Sequence, residues 1–313
     1  MAALAVGLAG TMAQPAAAAG VKVTPLGLVK GEFCKFDRAM IFEDPNGTRI
    51  LYDAGRTVAG TDDPRLGKID VLLVSHMHGD HVGDKHQPKP NAGTCGKPTL
   101  SVKAAPNTNT VNIALARKAT IVTGSEMRRF FGTKLNALGG DFKKSQLVRF
   151  GSSRKFGGVM ITTVPAVHSN GVNPAFIGGE LGKLLKAAGL AGYAGPPTGY
   201  VLRFTNGLVV YLSGDTGITA EQDSVVRRHY NAKLVVMNVG NVFTTEPTFV
   251  INELVKPNSV IVSHANEVAT KGGKVIAGTK TDRFIKATKV PVHLPLSERT
   301  MEFDASGKCT SGC

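Results

Sequence analysis

Val71-Leu72-Leu73-Val74-Ser75-His76-Met77-His78-Gly79-Asp80-His81 is the stretch from which the fold of this chain is read. Four apolar residues of strand character run through one serine into three histidines and an aspartate. These four fall within six positions, although the 313 residues contain only 8 histidines. Imidazole nitrogens and carboxylate oxygens are the donors a borderline divalent cation takes, and two ions held close together need a carboxylate that bridges them. His76 and His78, two residues apart in a turn, can aim at one ion. Asp80 and His81 are adjacent in an irregular loop, where neighbouring side chains diverge, and can aim at a second.

The same arrangement, an apolar run ending on a donor, occurs three more times. Ile161-Thr162-Thr163-Val164 leads to His168, Val209-Val210-Tyr211-Leu212 to Asp215, and Val260-Ile261-Val262 to His264. Open α/β sheets place their ligands beyond the carboxyl ends of strands, so four such ends predict one shared site. Asp215, in a Ser-Gly-Asp-Thr turn, is the candidate bridging ligand. Asp53, closing Ile50-Leu51-Tyr52, is a candidate to orient a ligand histidine from behind. Ser169, Asn170, Thr244 and Thr245 follow strand ends and are candidate substrate contacts. His86, His229 and His293 lack that setting and read as structural or solvent-facing.

Further out, Asp44-Pro45-Asn46-Gly47 lies between two apolar runs and predicts a hairpin. The segment from Val82 to about Lys118 reads as a long loop with one buried strand. SEMRRFFGTKL, GGELGKLLKAAGL, ITAEQDSVVRRHY, EPTFVINELV and TKTDRFIKAT read as helices, and their alternation with strands predicts an α/β layered architecture.

A 42% hydrophobic content fills a substantial core and argues against disorder, while 37 glycines and 16 prolines predict many tight loops. The net charge of +14 arises from basic pairs spread along the chain, such as Arg128 and Arg129, without a dense run or interleaved aromatics. That pattern reads as a solvated surface compatible with an anionic small molecule, and no nucleic-acid partner is expected. Residues 1–20 carry no charge and end in an alanine run, which predicts a signal peptide or apolar tail and hence a periplasmic or secreted protein. No other stretch reaches the length of a membrane span, so no stable membrane insertion is expected. Cys34, Cys95, Cys309 and Cys313 allow three disulfide pairings. Cys309 with Cys313, leaving Cys34 with Cys95, is the pairing expected.

With these residues in view, the sequence resembles the metallo-β-lactamase superfamily. Its HxHxDH signature matches His76 to His81, followed in order by His168, Asp215 and His264. The resemblance implies an αββα sandwich of two mixed sheets flanked by helices, over one domain spanning 21–313. It also implies a centre of two divalent ions, zinc first with manganese or iron as alternatives. His76, His78 and His168 would hold one ion, Asp80, His81 and His264 the other, and Asp215 both, with Asp80 also orienting the attacking water. Ile69-Asp70-Val71 before the histidines, Ser213 to Gly217, and MNVGNVFTTEP are similar to the branch of ascorbate-6-phosphate lactonases and phospholipase D-type enzymes acting on N-acyl phosphatidylethanolamine. That branch commonly carries a histidine after the glycine of its first strand, where this chain has Leu28 after Gly27. The expected activity is hydrolysis of a small ester, lactone or phosphoester. A β-lactamase-like activity and a catalytically weak binding protein are the alternatives; Asp215 argues against the former, because true β-lactamases of the superfamily usually lack an aspartate there.

Overall fold

The Asp44 to Gly47 segment closes the first hairpin through its own side chains. Asp44 Oδ2 accepts the Asn46 N–H at 3.0 Å, Asn46 Oδ1 accepts the Thr48 N–H at 2.9 Å, and Gly47 takes φ +86°. Met40–Glu43 and Arg49–Tyr52 are thereby paired antiparallel. The computed structural model describes residues 19–240 and 245–313. Thr244 and all but the last two residues of the signal-like segment therefore lie outside the described residues.

From this hairpin an eight-stranded sheet extends in the order Cys309–Ser311, Met301–Phe303, Val21–Pro25, Met40–Glu43, Arg49–Tyr52, Val71–Leu73, Thr120–Thr123 and Ser145–Leu147. A seven-stranded sheet faces it, ordered Val292–His293, Ser259–Ser263, Leu234–Asn238, Val209–Leu212, Thr198–Arg203, Val159–Pro165 and Ser153–Phe156. Both carry apolar side chains on both faces, which is why their strands read as nearly continuous apolar runs. Phe42, Ile50, Val71 and Leu73 meet Ile161, Tyr200, Leu202 and Val236 between the sheets. The alternate residues Leu51, Leu72 and Ile121 face Val111, Phe131 and Leu135 of covering helices. On the far side Val235 and Val260 meet Val250, Ile251 and Phe284. Each such side chain, once buried, contributes about 1.5–3 kcal/mol. The result is the expected αββα sandwich.

Helices form at Met127–Ala137, two residues beyond the end of its predicted segment, and, within theirs, at Gly179–Ala187, Gln222–His229, Glu246–Phe249 continuing into Val250–Val255, and Lys280–Ala287. The segment from Val82 to Lys118 departs from expectation. It contains the helix Asn109–Arg117, whose first turn is capped by Thr108 Oγ1 accepting the Val111 N–H at 3.0 Å. Its strands, Lys85–His86 and Val102–Lys103, form a short ribbon in which only His86 is buried, so the expected buried strand is absent there. The polar opening of that helix hid its apolar stripe, and only packing against the sheet reveals it.

The disulfides are Cys34–Cys95 and Cys309–Cys313. The first spans 61 residues, and loop-closure entropy gives it about 4 kcal/mol of stabilisation. Chemical denaturation of the Cys34→Ser/Cys95→Ser protein is expected to show that loss; a change below about 1 kcal/mol would show that the loop is already constrained without the bond.

Arg49–Tyr52, Val71–Leu73, Thr120–Thr123 and Ser145–Leu147 run parallel, so all four end on one edge of the first sheet. Val209–Leu212, Leu234–Asn238 and Ser259–Ser263 likewise share an edge of the second. Tyr200 Oη, from the second sheet, donates to Val74 O at 2.6 Å, and the Thr198 N–H donates to Ser75 O at 2.8 Å. These bonds bring the two edges together where the histidines emerge.

Candidate metal centre

Ser75 starts the turn that carries the cluster. Its N–H and Oγ both donate to Asp53, at 2.8 and 2.7 Å, so the ends of two neighbouring parallel strands are clamped together. Asp53 Oδ2 also lies 2.8 Å from His81 Nδ1, which leaves Nε2 facing the cluster. Gly79–Val82 is a single helical turn carrying Asp80 and His81. Two glycines allow it to sit against the preceding loop: a Cβ on Gly55 would run into Asp80 O, and one on Gly83 into Gly55 O. Asp53→Asn removes the charge that orients His81, and metal affinity is expected to fall about 10–100-fold in a competition titration, a value that an unchanged titration would contradict.

Around Asp215 Oδ2 lie His264 Nε2 at 2.9 Å, His81 Nε2 at 3.2 Å, and His76 Nε2 and His168 Nε2 at 3.9 Å each. Asp80 Oδ2 stands 3.5 Å from His264 Nε2 and 3.9 Å from His81 Nε2. His76 Nε2 and His78 Nδ1 are 3.0 Å apart. The donors gather in three overlapping groups: His76, His78 and His168; His76, His81 and Asp215; and Asp80, His81 and His264. Within each, the ligand atoms lie within 4.8 Å of one another. All seven residues named from sequence thus meet in one place.

Charge and burial suit a cation. Burial and neighbouring imidazoles hold His76 well below its ordinary pKa, and they lower His78 and His168, leaving the neutral rings that ligate metals. Burial also disfavours a charged His81, but Asp215, Asp53 and Asp80 outweigh it and raise its pKa to about 10. Burial alone would raise Asp215 and Asp80; His81, His264 and, for Asp80, Arg38 instead hold both carboxyls ionised. Buried carboxylates facing clustered imidazoles are the donor set of a divalent ion, so the residues present fit such a group.

Arg38 belongs to this site and had no signal in the sequence beyond a charged pair before an apolar strand. It is buried, with Nη2 2.7 Å from Asp80 Oδ2 and 2.6 Å from Asn266 Oδ1. Ser169 Oγ lies 3.4 Å from His78 Nε2, beside the cluster. Asn170 is placed differently from a substrate contact: it is buried, its Oδ1 accepts the Met77 N–H at 2.7 Å, and its Nδ2 donates to Gly195 O at 2.6 Å. It holds the histidine loop from behind. Thr245 hydrogen-bonds Glu246 Oε2 at the start of the Glu246–Phe249 helix. His86 is buried with Nδ1 2.8 Å from Gln87 O, and His293 packs edge-on against Phe303, in keeping with structural roles.

Residues 48–293 match the family model described as a β-lactamase superfamily domain. A metal-dependent hydrolase of Polynucleobacter asymbioticus is 30% identical over 242 residues, covering 73% of this chain and 72% of the relative. One from Koribacter versatilis is 24% identical over 251 residues, covering 79% and 87%. Among solved structures, a metallo hydrolase from Ignicoccus hospitalis aligns with TM-score 0.55 at 20% identity, over 91% of this chain and 99% of that one. A metallo-β-lactamase fold protein from Bacillus subtilis aligns at 0.54 and 13%, with the same coverage. The chain therefore belongs to the β-lactamase superfamily domain family, and its paired sheets with a histidine and aspartate cluster at one edge are the metallo-β-lactamase fold.

Proposed function

We propose that this protein is a metal-dependent hydrolase with a dinuclear centre, acting on a small ester, lactone or phosphoester. The observation that carries the reading is the convergence of five histidines and Asp80 around Asp215. His76, His78 and His168 would hold one ion, Asp80, His81 and His264 a second, and Asp215 both; zinc is the expected occupant, and manganese or iron suit the same donors. Divalent ions in such a site polarise a carbonyl or phosphoryl oxygen and bring the pKa of a water toward neutrality. The chain's own residues supply the rest. Asp53 and Ser75 fix the imidazoles, Arg38 fixes Asp80, and Asp80 would orient the attacking water. With that arrangement no serine nucleophile is required. The names of the relatives from Polynucleobacter asymbioticus and Koribacter versatilis, both metal-dependent hydrolases, support the activity class. Two disulfides, together with the signal-like start, support export to an oxidising compartment.

Metal analysis of the purified protein, combined with a panel of esters, lactones, phosphodiesters and nitrocefin, tests the reading. Close to two ions per chain and turnover in one of the first three classes are expected. Fewer than about one ion, or full occupancy with no turnover, would overturn it. Turnover of nitrocefin alone would replace it with the β-lactamase reading.

A further inference from the structure

On the sheet edge that also carries the histidine loop lies a cavity of about 390 Å³, within the size range of small-molecule sites, whose walls include Arg128, Arg129 and Arg149. In sequence these arginines belong to scattered basic residues, but the fold brings all three to one opening. Among the described residues none of them is ion-paired with a carboxylate, and Glu126 is the only carboxylate on the walls. Arg128 is held in place, its Nε donating to Ser145 O at 3.2 Å and its guanidinium lying 4.7 Å from the centre of the Phe142 ring. Arg129 and Arg149 are exposed. The 11-residue helix Met127–Ala137 begins at this opening with no side-chain cap, adding the positive end of its dipole. Three arginines against one glutamate on the walls leave an excess of positive charge, and forked donors of this kind match oxyanions. Leu147 and Phe150 add an apolar wall.

Its position ties the cavity to the histidines. His76 follows Val71–Leu73, Ser125 follows the next parallel strand, Thr120–Thr123, and Arg149 follows the one after, Ser145–Leu147. The segments that carry its walls thus leave the sheet edge one and two strands, at about 4.8 Å each, from the strand that delivers the histidine loop. The two also share backbone: Asn170 links the Met77 N–H to Gly195 O, and a Cβ on Gly195 would run into Ser125 Oγ at the cavity wall.

We propose that this cavity binds a doubly charged oxyanion, a phosphomonoester or a dicarboxylate, as the anchoring end of the substrate whose scissile bond reaches the histidine cluster. The anion site stands on the cavity itself; its role as a substrate anchor rests on the hydrolase reading. Calorimetric titration of the full-length protein in buffer containing divalent metal, with inorganic phosphate and with succinate, tests it, on the wild type, Arg129→Gln/Arg149→Gln and the metal-depleted Asp215→Ala. Wild type is expected to bind at least one probe, and the tighter of the two identifies the anion. The arginine double variant is expected to bind about tenfold more weakly with an unchanged melting temperature, whereas Asp215→Ala keeps the affinity. In turnover, the preference for an anionic over a matched neutral ester is expected to shrink in the double variant. Absence of binding, or affinity lost in Asp215→Ala and retained in the arginine variant, would overturn the proposal. Anion binding that follows the arginines, in a protein that hydrolyses nothing on the panel, would leave the cavity in place and remove only the hydrolase reading.

Discussion

Asp215→Ala is expected to lower turnover by more than about 100-fold and to reduce bound metal well below that of the wild type. Partners that merely orient a metal ligand are worth about 10–100-fold, and Asp215 does more than orient. Its Oδ2 is the point shared by the two halves of the cluster, 2.9 and 3.2 Å from His264 and His81 and 3.9 Å from His76 and His168. On the proposed dinuclear reading, removing it would take away the carboxylate that serves both ions. Metal content by mass spectrometry and steady-state kinetics check the expectation, with circular dichroism to show that the variant is folded. A folded Asp215→Ala protein with two ions and undiminished turnover would show that the cluster is not the centre of the chemistry.

The second large effect concerns stability and lies away from the cluster. Asp63 is fully buried and paired with Arg65 through two bonds, at 2.9 Å to Nε and 2.7 Å to Nη2, while the Ala59 N–H donates to it at 2.7 Å. Arg65 in turn donates to Gly27 O and Thr57 O, so the pair locks the loop after Asp53 onto the first strand's exit. Asp63→Asn leaves a buried guanidinium without its counter-charge and is expected to cost about 3–5 kcal/mol at pH 7. Burial by itself would raise the Asp63 pKa, but the Arg65 hydrogen bonds and charge overcome it and hold the carboxyl below its ordinary value. A depressed folded pKa contributes stability above the unfolded value of 3.8 and loses it as pH falls through the folded one. The gap between wild type and Asp63→Asn is therefore expected to be constant near neutrality and to begin to narrow below about pH 4. Urea melts at pH 7, 5 and 3 measure it: the gap is expected to be the same at pH 7 and 5 and narrower by about 1 kcal/mol at pH 3, and a gap identical at all three would show that the carboxylate's charge is not what the pair contributes.

Much of the centre was legible in the chain because metal ligation demands particular atoms, and side chains able to supply them are few. Three histidines and an aspartate after an apolar run announce their chemistry locally, and His168, Asp215 and His264 repeat the signal at later strand ends. Asp53 was legible for the same reason, since a carboxylate at a strand end beside that loop has few other places to point. Arg38 was not, because nothing local distinguishes a buried arginine from a solvated one. Only the approach of Asp80, 42 positions later, makes its burial tolerable. Asn170 was read as a candidate substrate contact from its position after a strand end, and its actual direction was hidden: the partners that take its amide, Met77 and Gly195, come from distant segments. The helix Asn109–Arg117 was masked by a polar first turn.

By itself the sequence determined which donor side chains would gather at one sheet edge, where strands would stop, and which faces would be buried, since donor chemistry and apolar periodicity are local properties. The tertiary structure alone decided that Arg38 would reach Asp80, and that Arg128, Arg129 and Arg149 would gather about two strands from His76. Those outcomes depend on strand order and register. Order and register are set by the packing of two sheets against each other, which no short stretch of sequence encodes.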